Sequence, residues 1–189
     1  DGACWVFVKM RFWQFIYGFY PVDERWRVNV AFVALALAAV PLFSERVRRR
    51  RRVAVALVVI GPPLAVLLFA GGLVGLAEVE TAKWGGLMLT LIVAGVGIAA
   101  SLPIGIALAL GRASDLPVVR ALSIAFIEMW RGVPLITVLF MAAVMLPLFL
   151  PEGVTMNKLI RALIGVSLFA GAYMAEVVRG GLEAIPRGQ

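Results

Sequence analysis

Histidine is absent from this sequence of 189 residues, and cysteine occurs once, as Cys4. Zinc and haem sites depend on these two residue types and disulfides need cysteines in pairs, so we expect no metal, no cofactor and a free thiol at Cys4. The sequence also shows no pairing of a nucleophile with a base and no glycine-rich phosphate loop. Catalysis by this chain alone is therefore not expected.

Long polar stretches are also scarce, because 62% of the residues are hydrophobic and only 15% are charged. The apolar residues form runs that approach or exceed the roughly 20 residues an α-helix needs to cross a bilayer. Backbone groups inside lipid must be satisfied within each segment, which a helix achieves alone. The composition therefore predicts an all-α, polytopic membrane helical bundle.

Acidic residues are few: 11 Asp and Glu face 18 Lys and Arg, for a net charge of +7. A basic balance can indicate nucleic acid, but here the basic residues cluster at the ends of apolar runs. The densest cluster has six arginines between positions 46 and 52 and is expected to stay in the cytoplasm by the positive-inside rule. The predicted surroundings are a lipid bilayer, with no nucleic acid.

The first part of the chain divides into two segments. Residues 1–27 mix aromatic with charged side chains, which suits either an irregular external segment or a helix at the membrane interface. Residues 28–77 predict two accessory spans, at about 28–43 and 53–77, joined by the arginine-rich loop. The second span contains residues that bend helices or let them pack closely: Pro62, Pro63, Gly71 and Gly75.

Residues 85–189 predict three further spans, at about 85–110, 134–149 and 159–178. Alternation of the charged loops then places the amino end outside the cell, with five spans in total. The sequence begins with Asp1 instead of Met and stops at Gln189 on the edge of a new segment. We expect it to be a fragment cut at both ends.

A helix break is predicted at Gly132 and Pro134. The apolar stretch from residue 118 to 150 would reach nearly 50 Å at about 1.5 Å per residue, too long for one straight span. Proline suits a helix start because its missing N–H costs nothing there. We therefore expect a helix over residues 117–130, lying partly in the cytoplasmic interface, and a short span over 134–149.

One span carries a regular row of small residues. Gly97, Ser101, Gly105 and Ala109 recur every four residues, so they lie along one ridge of the helix. Small residues at this spacing let two helix backbones approach closely in a membrane. An alternative is that the row reflects only the general Gly and Ala content of membrane helices.

Ionisable residues next to the predicted breaks are the candidates for a transport pathway. Glu128 and Arg131 are three apart and can pair on one helix face, and Glu176 and Arg179 repeat the spacing. Tyr173 also lies three residues from Glu176. Both pairs can equally be structural ion pairs that anchor their helices. Gly180 and Gly181 are predicted to end the last helix, with extended backbone before Pro186.

Two motifs connect these residues with a known family. Residues 127–136, IEMWRGVPLI, resemble the E-x-x-R-G-x-P-L signature of permease subunits in ATP-binding-cassette importers for polar amino acids. Residues 172–181, AYMAEVVRGG, and 185–189, IPRGQ, match further motifs of that family in the same order. The stretches at 17–21 and 80–86 resemble, more narrowly, the M-type permease of the general L-amino-acid importer.

The resemblance implies a membrane-spanning permease of a bacterial inner (plasma) membrane, itself non-catalytic, with residues 85–189 an incomplete permease core. It implies cytoplasmic ATP-binding subunits that hydrolyse ATP, a second permease subunit, an external substrate-binding protein and an amino-acid substrate. The resemblance also implies that the transport pathway would be lined by Glu128, Arg131, Tyr173 and Glu176. The approach to a cytoplasmic coupling helix that docks on the ATPase would comprise Arg179, Gly180, Gly181, Pro186, Gly188 and Gln189.

Two other functions fit a polytopic helical chain. One is a secondary transporter or channel that works without ATPase partners, and the other is a scaffold of a membrane complex. The segment beyond Gln189 distinguishes them: an amphipathic cytoplasmic helix followed by two further spans favours the importer.

Overall fold

The computed structural model describes residues 5–40, 50–72, 75–151, 153 and 155–184. The regular structure within these ranges is helical, as predicted. The α-helices are α1 (Trp5–Tyr17), α2 (Arg25–Ala39), α3 (Arg50–Ala70), α4 (Gly86–Arg112), α5 (Pro117–Gly132), α6 (Leu135–Val144) and α7 (Lys158–Glu183). Short 3₁₀ turns lie at Val22–Glu24, Thr81–Lys83 and Leu146–Phe149. Two compact units, Asp1–Gly95 and Val96–Gln189, divide the chain within α4.

Residues 5–17 form helix α1, so this part of the chain is not irregular, and its position at the membrane interface stays a prediction. The helix ends at Gly18, whose φ of +62° is easily reached only by glycine. The turn is tight: a Cβ on Gly18 would lie 2.7 Å from the backbone nitrogen of Gly85. The N–H of Phe19 then donates to the carbonyl of Lys83 at 2.9 Å, which ties the turn to the loop before α4.

A buried arginine organises the first unit. Arg27 is 1% exposed, pairs with Glu24 at 2.5 Å and donates to the carbonyl of Ala77 at 2.9 Å. The hydroxyl of Tyr20 donates to the carbonyl of Phe69 at 2.8 Å, and burial raises the pKa of Tyr20, so the phenol stays neutral. These bonds connect the start of α2 with the end of α3 and the loop that follows it.

Helix α3 is shorter than the predicted second span. It continues through both prolines but ends at Ala70, because Gly71 and Gly72 adopt φ values of +68° and +77°. A Cβ on Gly71 would lie 2.8 Å from Nη1 of Arg27, so only glycine fits there. Helix α3 therefore ends before residue 77, where the predicted span ends, and Gly71 and Gly75 lie in turns instead of forming a packing pair within the helix.

Three helices in the described ranges are long and apolar enough to cross a membrane, or up to four if the bent pair of α5 and α6 is one span. The three are Arg51–Ala70, Gly86–Arg112 and Lys158–Glu183. Helix α2, with 15 residues, extends about 22 Å and falls short of the roughly 30 Å hydrocarbon core. The end of the predicted first span and the arginines at 46–49 lie outside the described residues.

The small-residue ridge of α4 is buried, and its glycines face α7. Gly97, Ser101, Gly105 and Ala109 are all buried. A Cβ on Gly105 would lie 2.6 Å from Cγ of Met174, and one on Gly97 would lie 3.0 Å from Val166. Gly171 of α7 receives Ile104 of α4 in return, with a Cβ position 3.0 Å from Cβ of Ile104. The two helices therefore pack with their backbones close together.

The predicted break between α5 and α6 is confirmed, and the two helix axes differ by 102°. Val133 is extended, with φ −108° and ψ 135°, because Pro134 disfavours the helical conformation of the residue before it. Gly132 is the last residue of α5, and Pro134 caps α6. Within the predicted short span over 134–149, α6 ends at Val144 and a 3₁₀ turn containing Pro147 follows.

Helix α7 extends beyond its predicted end. Gly180 and Gly181 were expected to terminate it, but both are helical and the helix continues to Glu183. Arg179 and Glu183 are four apart and pair at 2.7 Å, which supports the last turn. The N–H of Ala184 donates to the carbonyl of Gly180 at 3.2 Å and closes the helix. The prediction overestimated how strongly Gly180 and Gly181 terminate the helix.

Candidate functional site

Glu176 joins three helices within the second unit. One carboxylate oxygen accepts from Arg112 at 2.7 Å and lies 3.6 Å from Arg131, while the other accepts from Arg179 at 2.9 Å. Arg112 is in the last turn of α4 and Arg131 in the last turn of α5, where a cation also stabilises the helix carbonyls. We call Glu176, Arg112, Arg131 and Arg179 the Glu176 junction.

Arg131 also contacts an aromatic ring. Its guanidinium carbon lies 5.6 Å from the centre of the Tyr173 ring, within range of a cation–π interaction. Tyr173 itself packs against Phe169, with ring centres 4.9 Å apart. Three of the four predicted pathway residues, namely Arg131, Tyr173 and Glu176, are therefore neighbours in the structure.

Glu128, the fourth, lies at the edge of the junction. Its side chain is 60% exposed and its nearest cation is Arg112, at 3.8 Å. The predicted pair of Glu128 with Arg131 is not among the ion pairs of the described residues, because Arg131 turns to Glu176 instead. The spacing made the pair possible, but the carboxylate on α7 lies nearer to Arg131.

The predicted pair of Glu176 and Arg179 is confirmed at 2.9 Å. It is part of a longer row on α7, because Arg179 also binds Glu183. Gly180 and Gly181 stand beside this row with no atom within 4 Å of the positions their Cβ atoms would take, among the described residues. Pro186, Gly188 and Gln189 lie outside the described residues.

Arg112 is the member of the junction that sequence reasoning missed. Arg112 was not among the predicted site residues, although it makes the shortest bond to Glu176. A signal was present: Arg112 ends a 27-residue apolar helix, and Glu176 is an acidic residue inside another. A carboxylate inside an apolar helix is stabilised by a nearby cation, and an arginine at the end of another apolar helix was therefore a candidate partner.

The chemistry of the junction is electrostatic. Glu176 is 19% exposed and its arginines are 31–41% exposed, so the charges are partly screened from water and mutually compensated. Such a site can hold helix ends together, or offer guanidinium and carboxylate groups to a zwitterion that enters beside it. Within the described ranges, no group of His, Cys, Asp and Glu could hold a metal ion.

Comparison with known proteins places these residues in a family. Over its whole length the chain is 58% identical to the inner membrane amino-acid ABC transporter permease protein YhdY of Escherichia coli K12, of which it covers 51%. It is 38% identical, also over its whole length, to the glutamate/glutamine/aspartate/asparagine transport system permease protein BztC of Rhodobacter capsulatus, of which it covers 56%.

A more distant match is confined to part of the chain. The probable amino-acid permease protein YxeN of Bacillus subtilis is 40% identical over 85 residues, which make up 45% of this chain and 38% of YxeN. No family model matches the sequence, and no solved structure does. The chain spans about half the length of the two relatives that it matches along its whole length.

Proposed function

This chain belongs to the amino-acid permeases of ABC transporters, and from that premise we propose that it forms part of the translocation pathway of an ATP-driven amino-acid importer. The whole-length identity of 58% to an inner membrane permease supports a place in a bacterial inner membrane. The apolar helices α3, α4 and α7 agree with a multi-pass chain. A secondary transporter or channel is less favoured, because the whole-length relative YhdY is named as an ABC transporter permease.

The proposed assembly contains cytoplasmic ATP-binding subunits, a second permease subunit and an external substrate-binding protein. The permease itself is non-catalytic in this proposal, and the ATPase subunits supply the energy. Alternating access would reorient the permease pair when the ATPases close. The substrate class is an amino acid, in keeping with the names of the relatives.

The ion pairs of Glu176 support a mechanism for the proposed function, because Glu176 binds arginines from α4, α5 and its own helix. Motion delivered to the last turns of α7 would move Glu176, and its ion pairs would pull on the ends of α4 and α5. Arg179, Gly180 and Gly181 then form the approach from the coupling segment. Charge-assisted hydrogen bonds of 2.7–2.9 Å are strong enough to make such a link rigid.

The same junction can meet the substrate. Arg131 and Tyr173 present a cation and an aromatic edge, and Glu128 adds an exposed carboxylate nearby. A zwitterion could exchange its own carboxylate or ammonium for one of these contacts during passage. In this proposal Glu128, Arg131 and Tyr173 line the pathway, while Glu176 serves mainly to couple the helices.

Transport by the full-length permease tests the function directly. The permease would be reconstituted in proteoliposomes with its ATPase, second permease and binding protein, and offered a panel of labelled amino acids. We expect uptake only with ATP and the binding protein together. Equal uptake without ATP would contradict an importer and favour a secondary transporter.

The coupling role is tested by Glu176→Gln in the same system. The amide keeps the size of the side chain but removes the anion that Arg112, Arg131 and Arg179 share, so we expect the amino acid transported per ATP hydrolysed to fall about tenfold. Glu183→Gln is the matched control, because Glu183 binds only Arg179 on its own helix and is 65% exposed. It should change the ratio less than about twofold. An unchanged ratio in the Glu176 variant would remove the coupling role.

A further inference from the structure

An apolar cavity of about 430 Å³ lies beside the helix break in the second unit. It is enclosed by the end of α5, by α6 with the 3₁₀ turn, and by the middle of α7. Its walls include Met129, Trp130, Met141, Met145, Phe149 and Leu168. The volume is within the range of about 300–1,000 Å³ typical of ligand pockets. The lining residues are uncharged, and methionines at three positions let the wall adapt to a flexible apolar occupant.

A basic group stands at the end of this cavity where α7 begins. Arg161 precedes the lining residue Gly165 by four positions, so both lie on the same face of α7. Its Nη1 donates to the carbonyl of Ala143, next to the lining residue Ala142. Lys158, one turn earlier, is exposed. The cavity is therefore apolar along its length and basic at one end.

The guanidinium of Arg161 is only partly satisfied. Its Nε is buried without a hydrogen-bond partner, and no carboxylate among the described residues lies within 4 Å of it. The Arg161 side chain as a whole is only half-buried, and an anionic oxygen that reaches its guanidinium would accept a charge-assisted hydrogen bond. The hydrogen bond to the carbonyl of Ala143 satisfies an N–H group on Nη1 of Arg161, but the N–H group on Nε has no partner.

We propose that this cavity binds an anionic phospholipid, with one acyl chain along the methionine-lined wall and the phosphate group against Arg161 and Lys158. The apolar walls exclude a polar or charged ligand from the body of the cavity, and the two basic side chains select the sign of the head group. Leu168 lies seven residues beyond Arg161, about 10 Å along α7, so the acyl chain would follow the helix into the bilayer. The lipid would fill the angle between α5 and α6.

Native mass spectrometry of the full-length permease tests this proposal without any transport step. The purified protein would be incubated with equal amounts of phosphatidylglycerol and phosphatidylcholine of the same acyl chains. We expect phosphatidylglycerol to be retained preferentially. Arg161→Gln should weaken its retention about fivefold, whereas Arg161→Lys, which keeps the charge, should retain most of it. Arg120→Gln is the control, because Arg120 is an exposed arginine at the start of α5, away from the cavity lining.

A second variant tests the place of the acyl chain. Met141→Trp fills the cavity and should lower retention of both lipids, whatever their head group. Equal retention of the two lipids by the wild type, or an unchanged preference in Arg161→Gln, would overturn the proposal. Undiminished binding to the Met141 variant would show that the lipid sits elsewhere. No retained lipid at all would likewise overturn the proposal.

Discussion

Gly105 and Gly180 both lie inside membrane helices, yet their surroundings differ completely. A Cβ on Gly105 would lie 2.6 Å from Cγ and 2.9 Å from the backbone carbon of Met174. Around Gly180, nothing in the described part of the chain comes within 4 Å of that position. Because a backbone atom cannot turn away as the end of a side chain can, Gly105 is needed for the close approach of α4 and α7, whereas Gly180 tolerates a larger residue.

Replacing Gly105 with leucine should therefore destabilise the permease. We expect a cost of about 1–3 kcal/mol from the forced separation of α4 and α7. The measurement is the thermal midpoint of the full-length protein in detergent, together with the yield of assembled complex. Gly180→Leu is the matched control for the thermal midpoint alone, because Gly180 belongs to the proposed coupling approach, and it should leave the midpoint near the wild-type value. Equal midpoints for the two variants would contradict the packing of the ridge against α7.

The α5–α6 pair shows how a short local signal shapes an element. Pro134 places Val133 in an extended conformation, and the helix axes then diverge by 102°. The bend separates amphipathic α5, whose last turn carries Arg131, from α6, which has no charged residue. It thereby lets Arg131 reach Glu176 while α6 packs along α7 at Gly165. The proposed coupling through the Glu176 junction would therefore depend on this bend.

We predict that Pro134→Leu impairs ATP-driven uptake by the full-length importer. Leucine removes the restriction on Val133, so residue 133 can become helical and the angle between α5 and α6 can decrease. Arg131 would then move away from Glu176. Pro21→Leu is the comparison, because Pro21 lies before a short 3₁₀ turn in the first unit. Initial uptake rates, corrected for the amount of permease, should fall further for Pro134→Leu. Wild-type rates for both would count against a functional break.

At the level of the whole chain, the two units divide within α4, and the predicted boundaries at residues 27, 77 and 85 remain untested predictions. The membrane orientation also remains a prediction from charge. It depends mainly on the arginines at 46–52, whose hydration and attraction to the cytoplasmic leaflet oppose their transfer across the bilayer. Orientation matters because the coupling proposal requires the end of α7 to face the ATPases.

Cysteine labelling of the full-length protein in intact cells tests this orientation. In a background from which the native cysteines, including Cys4, have been removed, Arg48→Cys and Ser114→Cys should react with an impermeant maleimide only after the cytoplasmic side is opened. Lys83→Cys and Thr155→Cys should react in intact cells, since both belong to loops expected outside. The reverse pattern would overturn the topology and, with it, the cytoplasmic position of the Glu176 junction.

Several features were predictable because their causes are local. The apolar runs predicted α4 and most of α7, and the residue before Pro134 could hardly be helical, so the break was expected. The four-residue spacing also identified the ridge that is buried against α7. Errors came where local signals compete with neighbours: Gly180 and Gly181 stay helical beside the Arg179–Glu183 pair, and Gly71 turns the chain against Arg27.

The all-α fold, the membrane character and the family can be predicted from hydropathy, the positions of the charged residues and the motifs, because each of these is a local property of the sequence. The pairing of the charged side chains cannot be read from the sequence, because it depends on the distances between helices that are far apart in sequence. Arg112 and Glu176 are separated by 64 positions and lie 2.7 Å apart. Folding thus replaced the expected Glu128–Arg131 pair with a junction on Glu176, because a partly buried carboxylate is stabilised most where several cations converge.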